Sequence, residues 1–146
     1  MLSLFFEDQC AAMFSIKKEF SDKIFLREKK FEFRKVKCSR PIKRVFVYES
    51  RSSGSIVGEF EVANIIDGNL LDVWNQTKDF AGISFEFYCS YYANATKAVA
   101  YKIRNPIRYS KLISLKDFGL TRAPQSFFYI NDEQIIEIDR IISKIS

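Results

Sequence analysis

The chain has 146 residues, of which 47% are hydrophobic and 28% charged, and this balance predicts one globular domain with its own core. It contains no His, and its three Cys have no C-x-x-C spacing, which excludes His-based catalysis and His-containing zinc sites; we predict no metal and no other cofactor. The net charge is +5, and residues 27–44 carry nine Lys and Arg against two Glu, which predicts either an anionic partner such as nucleic acid or a solvated basic face.

Residues 1–13 are predicted to be an extension packed on the domain. Glu7 and Asp8 interrupt their apolar start, and no basic segment precedes it, so this stretch is interpreted neither as a signal peptide nor as a membrane span. The simplest interpretation of the three Cys is free thiols in a reducing compartment. We therefore predict a cytoplasmic protein without membrane association.

The first half of the patterned chain is predicted to be rich in strands. A short strand at Phe14 and Ile16 is followed by a helix over residues 17–27. Alternating apolar and polar residues then predict strands over residues 30–36, 44–50 and 55–66. Gly58 lies inside the last of these, where a glycine marks a bulge or a close approach of the backbone.

The second half is predicted to contain two helices, further strands and a final helix. The predicted elements, in order, are a turn and helix within residues 67–82, an aromatic helix at 83–94, a strand pair or bent strand around Asn105-Pro106 at 96–111, a helical turn at 114–120, a loop and strand at 121–130, and an amphipathic helix at 131–145. The Ile residues of the last helix pack within the chain or between copies, and the second alternative predicts a homodimer. This order of elements predicts an α+β fold, a small mixed barrel with helices packed around it.

Five blocks of sequence, in this order, resemble the ASCH domain of the PUA-like superfamily. They are residues 15–35, 44–50, 56–62, 77–84 and 114–130. The family motif G-x-K-x-x-E-x-R is matched by Lys29, Glu32 and Arg34, whereas Arg27 replaces its glycine. The resemblance implies a small PUA-like β-barrel over residues 14–130, with helices around it and a cleft on one side. Residues 131–146 lie beyond the resemblance and are predicted from their Ile spacing to be an amphipathic helix packed on the domain.

The resemblance also implies a function, which is the binding of RNA or another nucleic acid in a basic cleft for a nucleotide or modified base. Some relatives are hydrolases that deacetylate N4-acetylcytidine with a Lys and a Thr of the motif, and another branch is described as ribonucleases. Here Glu32 replaces that Thr and has no hydroxyl nucleophile, and Asp79 is the nearest counterpart of their catalytic Glu. Whether the chain is an enzyme therefore stays open; if it is, Lys29 and Glu32 are the predicted catalytic residues.

The predicted site centres on the second strand and the loop near Gln125, which are expected to converge on one pocket. Glu32 and Arg34 share one face of this strand, which predicts an ion pair whose guanidinium reaches a phosphate or a base edge, or alternatively a surface pair. The predicted nucleic-acid-binding residues are Ser15, Lys17, Lys29, Lys30, Glu32, Arg34, Tyr48, Ser50, Arg122, Gln125 and Ser126.

Each of these residues also has a plain structural interpretation. The lysines are equally well placed to face solvent, Tyr48 to lie half-buried in the core, and the loop to be a turn fixed by Pro124. The aromatic residues between Phe85 and Tyr92 form either a stacking platform for bases or part of a core or oligomer contact.

Overall fold

The computed structural model describes residues 10–50 and 54–145, which contain six strands and four α-helices. The strands are β1 (Ala11–Lys17), β2 (Phe31–Arg34), β3 (Arg44–Ser50), β4 (Ser55–Asn69), β5 (Lys97–Ile113) and β6 (Phe127–Ile130). The helices are α1 (Lys18–Phe25), α2 (Leu70–Thr77), α3 (Phe85–Tyr91) and α4 (Asp132–Ile145), with 3-10 turns at Lys78–Phe80 and Lys116–Phe118. No helix in these ranges is both long enough and apolar enough to cross a membrane.

The six strands form one curled sheet in the order β2-β5-β4-β3-β1-β6. β1 and β3 are parallel, and the other neighbouring pairs are antiparallel. The long strands β4 and β5 pair along their length with three irregularities in register, and such irregularities bend a strand and increase its twist. The sheet therefore curls into a half-barrel with the helices packed around it, which confirms the predicted α+β fold.

Gly58 marks the close approach that was predicted inside the fourth strand. A Cβ atom at this position would lie 2.3 Å from the carbonyl oxygen of Ile107 and 2.5 Å from Cζ of Phe25. The pairing register of β4 with β5 also shifts between Ile56 and Gly58. Only a glycine leaves room here for the end of α1 to pack against the sheet.

Buried apolar side chains form three clusters that fix the helices on the sheet. One cluster covers the sheet face that includes Phe14 and Phe60, and it contains Ile24 of α1. A second cluster joins the opposite face of β1 and β3 to α4. The third joins β2 and β5 to α2 and α3, through residues such as Phe33 and Tyr88.

The C-terminal helix packs within the chain through its Ile stripe. It begins with a reciprocal cap, in which the backbone N–H of Gln134 donates to Asn131 Oδ1 at 2.8 Å and Asn131 N–H donates to Gln134 Oε1 at 3.0 Å. Ile135 and Ile138 are buried in the second cluster, whereas Ile136 is 61% exposed. The isoleucines of α4 that repeat at helical spacing therefore serve intramolecular packing.

The first strand begins earlier than predicted. β1 starts at Ala11, and residues 11–13 are completely buried because β3 pairs with this strand on one side and β6 on the other. Two alanines and a methionine show no alternating pattern, which is why the sequence placed them in the extension. Residues 1–9 of that predicted extension and residues 51–53 of the predicted turn lie outside the described residues.

Candidate functional site

A pocket of about 150 Å³ opens where β1 ends and α1 begins, with β2 and α3 as its other walls. Its lining residues are Ser15, Ile16, Lys17, Phe20, Lys29, Glu32, Phe33, Arg34, Ile83, Phe87 and Tyr91. Four of them are aromatic and four are charged, so the pocket combines apolar walls with a small number of polar groups. This composition is typical of sites that bind an organic ligand.

The chain reverses direction between α1 and β2 through a residue in the left-handed conformation. Arg27 has φ of 66°, and the backbone N–H groups of Glu28 and Lys29 donate to the Lys23 carbonyl at 2.9 and 3.1 Å. Glycine adopts this conformation without steric cost, which accounts for the glycine in the sequence motif. Arg27 preserves the turn at the expense of local backbone strain, and Lys29 still reaches the pocket.

Lys29 is a buried lysine on the wall of the pocket. Its side chain is 2% exposed, and Nζ donates a 2.7 Å hydrogen bond to the Ala81 carbonyl. Nζ also lies 4.8 Å from the ring centroid of Phe33 and 5.6 Å from that of Phe20. Burial lowers the pKa of Lys29 from 10.5 to about 8, although the nearby Glu32 charge acts in the opposite direction. Lys29 therefore loses its proton at a lower pH than an exposed lysine does.

The segment after the 3-10 turn at Lys78–Phe80 fixes Lys29 from the side. Gly82 has φ of 70°, and a Cβ atom there would lie 2.6 Å from both Cβ and Cγ of Lys29. Lys23 Nζ donates to the Gly82 carbonyl at 3.1 Å, next to the carbonyl that Lys29 uses. Asp79, the predicted counterpart of a catalytic Glu, is exposed and does not line the pocket.

Glu32 and Arg34 form the predicted ion pair at the floor of the pocket. Arg34 Nη1 lies 3.1 Å from Glu32 Oε2, and the two side chains are 11% and 8% exposed. The second carboxylate oxygen, Oε1, accepts no hydrogen bond from the described residues. Because Glu32 lines the pocket, this oxygen is available to a donor on a ligand.

The guanidinium of Arg34 joins three separate segments of the chain. Besides Glu32 on β2, it donates to the Ser15 carbonyl at 3.3 Å and to the carbonyl and Oγ of Ser126 at 2.8 and 2.6 Å. β2 and the loop before β6 therefore do converge, but at Ser126 and not at Gln125. The guanidinium fork that the sequence assigned to phosphate binding is occupied by protein acceptors, so Arg34 positions Glu32 and the pocket wall.

The aromatic helix α3 contributes to both the core and the pocket, through different faces. Tyr88 and Tyr92 are each 1% exposed and belong to the third core cluster, whereas Phe87 and Tyr91 line the pocket. Phe87 is 40% exposed and makes an edge-to-face contact with Phe20 at a centroid distance of 5.4 Å. The helix therefore contributes to the core through one face, and through the other it exposes rings at the pocket, where the interpretation as a stacking platform requires them.

Sequence reasoning missed four residues of the apolar wall, which are Ile16, Phe20, Phe33 and Ile83. Phe20 shares a helical face with Ile24, which predicted a core position only. The four-residue spacing of Phe87 and Tyr91 is a signal that could have separated them from the buried Tyr88 and Tyr92, because residues four apart share one face of a helix.

The structure brings together about half of the predicted nucleic-acid-binding residues. Those that line the pocket are Ser15, Lys17, Lys29, Glu32 and Arg34, and Ser126 contacts Arg34. Lys30 lines a second cavity on the other side of Lys29. The remaining four do not line the pocket: Tyr48 is half-buried in the second core cluster, Ser50 ends β3, and Arg122 and Gln125 are exposed.

Comparison with known sequences gives one relative that matches along nearly the whole chain. No family model matches. The ASCH domain-containing ribonuclease of Zymomonas mobilis is 26% identical over 142 residues, which are 94% of this chain and 96% of that protein. The large ribosomal subunit protein uL22 of Ureaplasma parvum is 27% identical over 103 residues. That match covers 70% of this chain but 33% of uL22, so the chain corresponds to about a third of that relative's length.

Comparison with solved structures identifies the same fold. The crystal structure of a serine-to-alanine variant of the Zymomonas mobilis ASCH protein superposes with a TM-score of 0.82 and 24% identity, covering 95% of this chain and 99% of that one. The unsubstituted protein gives a TM-score of 0.82 with 22% identity, covering 92% and 96%. The N-terminal domain of Staphylothermus marinus McrB is more distant, with a TM-score of 0.58, 10% identity, and 92% and 94% of the two chains covered.

Proposed function

We propose that the chain is an ASCH-type protein, which its match along 94% of its length to an ASCH domain-containing ribonuclease supports, and that it binds single-stranded RNA and holds one base in the pocket beside Lys29. The observation that carries the proposal is the composition of the pocket, in which aromatic rings surround a buried lysine and a buried carboxylate. Proteins that recognise single-stranded RNA stack unpaired bases on aromatic side chains and hydrogen-bond their edges. Both elements of such recognition are present here within about 150 Å³.

The two sets of side chains have different roles in this proposal. Phe20, Phe87 and Tyr91 provide ring surfaces for stacking, which contributes about 1–3 kcal/mol per base. Glu32 Oε1 accepts from an amino or imino N–H group of the base. An ammonium group has three donors, and Lys29 uses one of them for the Ala81 carbonyl, so it also donates to the ligand.

Exposed lysines at the mouth of the pocket supply the contacts to phosphate. Lys17 lines the pocket, and Lys35 Nζ lies 5.0 Å from the ring centroid of Tyr91. Contacts of this kind release counterions from the nucleic acid, so the affinity is expected to fall as salt rises.

Fluorescence anisotropy with a labelled 12-nucleotide single-stranded RNA at low salt tests the proposal. The decisive variant is Phe87→Ala, for which we expect affinity to fall about 5- to 150-fold because a stacking surface is lost. Phe85→Ala is the matched control, because Phe85 has similar exposure on the same helix but packs on Trp74 outside the pocket. Undetectable RNA binding by the wild type, or equal losses in both variants, would contradict the proposal.

A second candidate function is cleavage of the bound RNA. Two observations favour it: burial lowers the pKa of Lys29 to about 8, and a relative that matches 94% of the chain is named a ribonuclease. In this reaction the neutral amine of Lys29 takes the proton of a ribose 2′-hydroxyl, whose oxygen attacks the adjacent phosphorus. The bond from phosphorus to the 5′-oxygen breaks, that oxygen takes a proton from water, and a 2′,3′-cyclic phosphate remains.

Gel analysis of end-labelled RNA tests the second candidate. The rate of cleavage is expected to rise with pH through about 8, as Lys29 loses its proton, and to vanish in Lys29→Met. A single-stranded DNA of the same sequence, which lacks every 2′-hydroxyl group, is expected to bind without being cut. Cleavage that persists in Lys29→Met would remove this lysine from the chemistry while leaving the binding proposal intact.

We also propose that the protein works in a reducing compartment, the cytoplasm. Cys10, Cys38 and Cys89 are all free thiols, and Cys38 is buried. The homodimer stays a prediction; because Ile138 is buried within the chain, a contact through α4 has to use exposed residues such as Ile136. Size-exclusion mass measurement of an Ile136→Asp variant tests it.

A further inference from the structure

A second cavity, of about 360 Å³, lies on the other side of Lys29. It is bounded by the end of α1, the start of β2 and the middle of β5. Its lining residues are Ile24, Arg27, Lys29, Lys30, Lys102, Ile103, Arg104, Asn105 and Pro106. Lys29 belongs to both cavities, so the second cavity adjoins the base pocket.

The second cavity is strongly positive and has little compensating charge. Among the described residues, no Asp or Glu lines it, and Arg27 and Lys102 form no ion pair. Arg104 is the exception, because its Nη2 lies 3.3 Å from Glu61 Oε1. Lys30 Nζ is 4.2 Å from the ring centroid of Phe80, which orients the ammonium without neutralising it. A cleft lined by charges of one sign concentrates ligands of the opposite sign.

Arg27 provides an independent indication that this charge has a role. The residue lies in the left-handed region, with φ of 66°, where a non-glycine side chain costs on the order of 1–3 kcal/mol. The family motif has glycine at this position, and here an arginine that lines the cavity replaces it. An arginine at a position where glycine would relieve the strain supports the hypothesis that its charge has a role in this cavity.

From these observations we propose that the second cavity binds the phosphate backbone of the same RNA strand whose base occupies the pocket. The inference rests on the proposed function, because it extends one binding site along the strand. Arg27, Lys30 and Lys102 contact successive phosphates, and Lys29 separates the backbone groove from the base pocket. The full affinity therefore requires an oligonucleotide, whereas a single nucleotide uses the pocket alone.

The test compares two double variants of the whole chain that remove the same charge. Arg27→Gly/Lys102→Gln removes two cations from the cavity and introduces the glycine of the motif. Lys111→Gln/Lys116→Gln is the matched control, because both lysines are exposed and line neither cavity. Lys30→Gln/Lys102→Gln is a second cavity variant that leaves the turn at Arg27 unchanged. The ligands are a 12-nucleotide single-stranded RNA and the four nucleoside 5′-monophosphates.

For both cavity variants, affinity for the 12-nucleotide RNA is expected to fall about tenfold. Each phosphate contact contributes about 0.7 to the steepness of log K against log salt, so the loss of two contacts should make this slope shallower by about 1.4. Affinity for the monophosphates and the behaviour of the control are expected to stay within about twofold of the wild type. A normal salt slope in the cavity variants, or equal losses in the control, would overturn this inference while the base pocket stands. An absence of RNA binding by the wild type would overturn both.

Discussion

Replacing Lys29 by Met tests whether the pocket contains a lysine whose pKa is lowered to about 8. Burial lowers the pKa of Lys29 from 10.5 to about 8, whereas the unfolded chain keeps the ordinary value. Below pH 8 the amine is charged in both states, and burying that charge costs about 3 kcal/mol at 1.36 kcal/mol per pKa unit. Above pH 8 the folded protein releases the proton while the unfolded chain retains it up to about pH 10.5, so stability rises with pH.

The expected size of this effect follows from the two pKa values. Between pH 7 and 9 the free energy of unfolding of the wild type should increase by about 1 kcal/mol relative to Lys29→Met. Urea denaturation of both proteins at pH 7, 8 and 9 measures it. Burial raises the thiol pKa values of Cys10 and Cys38 in the folded protein. These thiols therefore lower the stability of both proteins as the unfolded chain ionises near pH 9. Taking the difference between the two proteins removes this contribution.

Lys111→Met is the control for this experiment. Lys111 is exposed and lines neither cavity, so its replacement removes a lysine without changing the surroundings of Lys29. A difference between wild type and Lys29→Met that stays constant from pH 7 to 9 would refute the lowered pKa. It would also remove the physical basis for Lys29 as the proton acceptor in RNA cleavage.

Three further predictions concern stability and are measured by chemical denaturation. Arg27→Gly should raise the free energy of unfolding by about 0.5–1 kcal/mol because it relieves the left-handed backbone, whereas Arg27→Ala, which keeps the strain, should not; equal effects would disprove the strain. Gly82→Ala should lower the free energy of unfolding by at least about 1 kcal/mol, because the added Cβ would overlap the side chain of Lys29 and because the φ of 70° is strained for alanine. No change in stability would show that the segment relaxes around the new side chain. Glu59→Gln should cost about 1.5–3 kcal/mol, because it removes the charge of a mostly buried carboxylate that accepts hydrogen bonds from Arg44 Nε and Nη2 and from the Tyr109 hydroxyl. Asp139→Asn should cost less than about 1 kcal/mol, because Asp139 is 53% exposed. A larger loss of stability in Asp139→Asn than in Glu59→Gln would contradict the reasoning that the more buried carboxylate contributes more.

The sequence predicted the fold well wherever a local pattern determined the element. The alternation around Glu32 gave β2 and its ion pair with Arg34, and the Ile spacing gave α4. Gly58 was correctly identified as a close approach, because a glycine within a long strand commonly leaves room for a neighbouring segment of the chain. The motif residues Lys29, Glu32 and Arg34 do lie together at one pocket.

Features that depend on contacts between distant segments were not predictable in the same way. Lys29 is buried because Phe20 of α1 and the Ala81–Gly82 segment pack around it, and no local pattern indicates that. The partners of Arg34 come from Ser15 and Ser126, which are far apart in the chain. No local sequence pattern distinguishes a half-buried core tyrosine from one that lines a cleft. The position of Tyr48 against the second core cluster therefore depends on how β3 pairs and packs with its neighbours.

The connections of Arg34 have a consequence for how ligand preference changes in this fold. Since the guanidinium ties β1, β2 and the loop before β6 together, a substitution at the polar floor disturbs several segments at once. The wall formed by Phe87 and Tyr91 is different, because buried tyrosines anchor the helix from its opposite side, where the Tyr88 hydroxyl donates to the Leu70 carbonyl. In the proposed role as an RNA-binding protein, divergence in the preferred base is therefore expected to accumulate on this wall, and protein engineering aimed at a new preference has its most tolerant starting positions there.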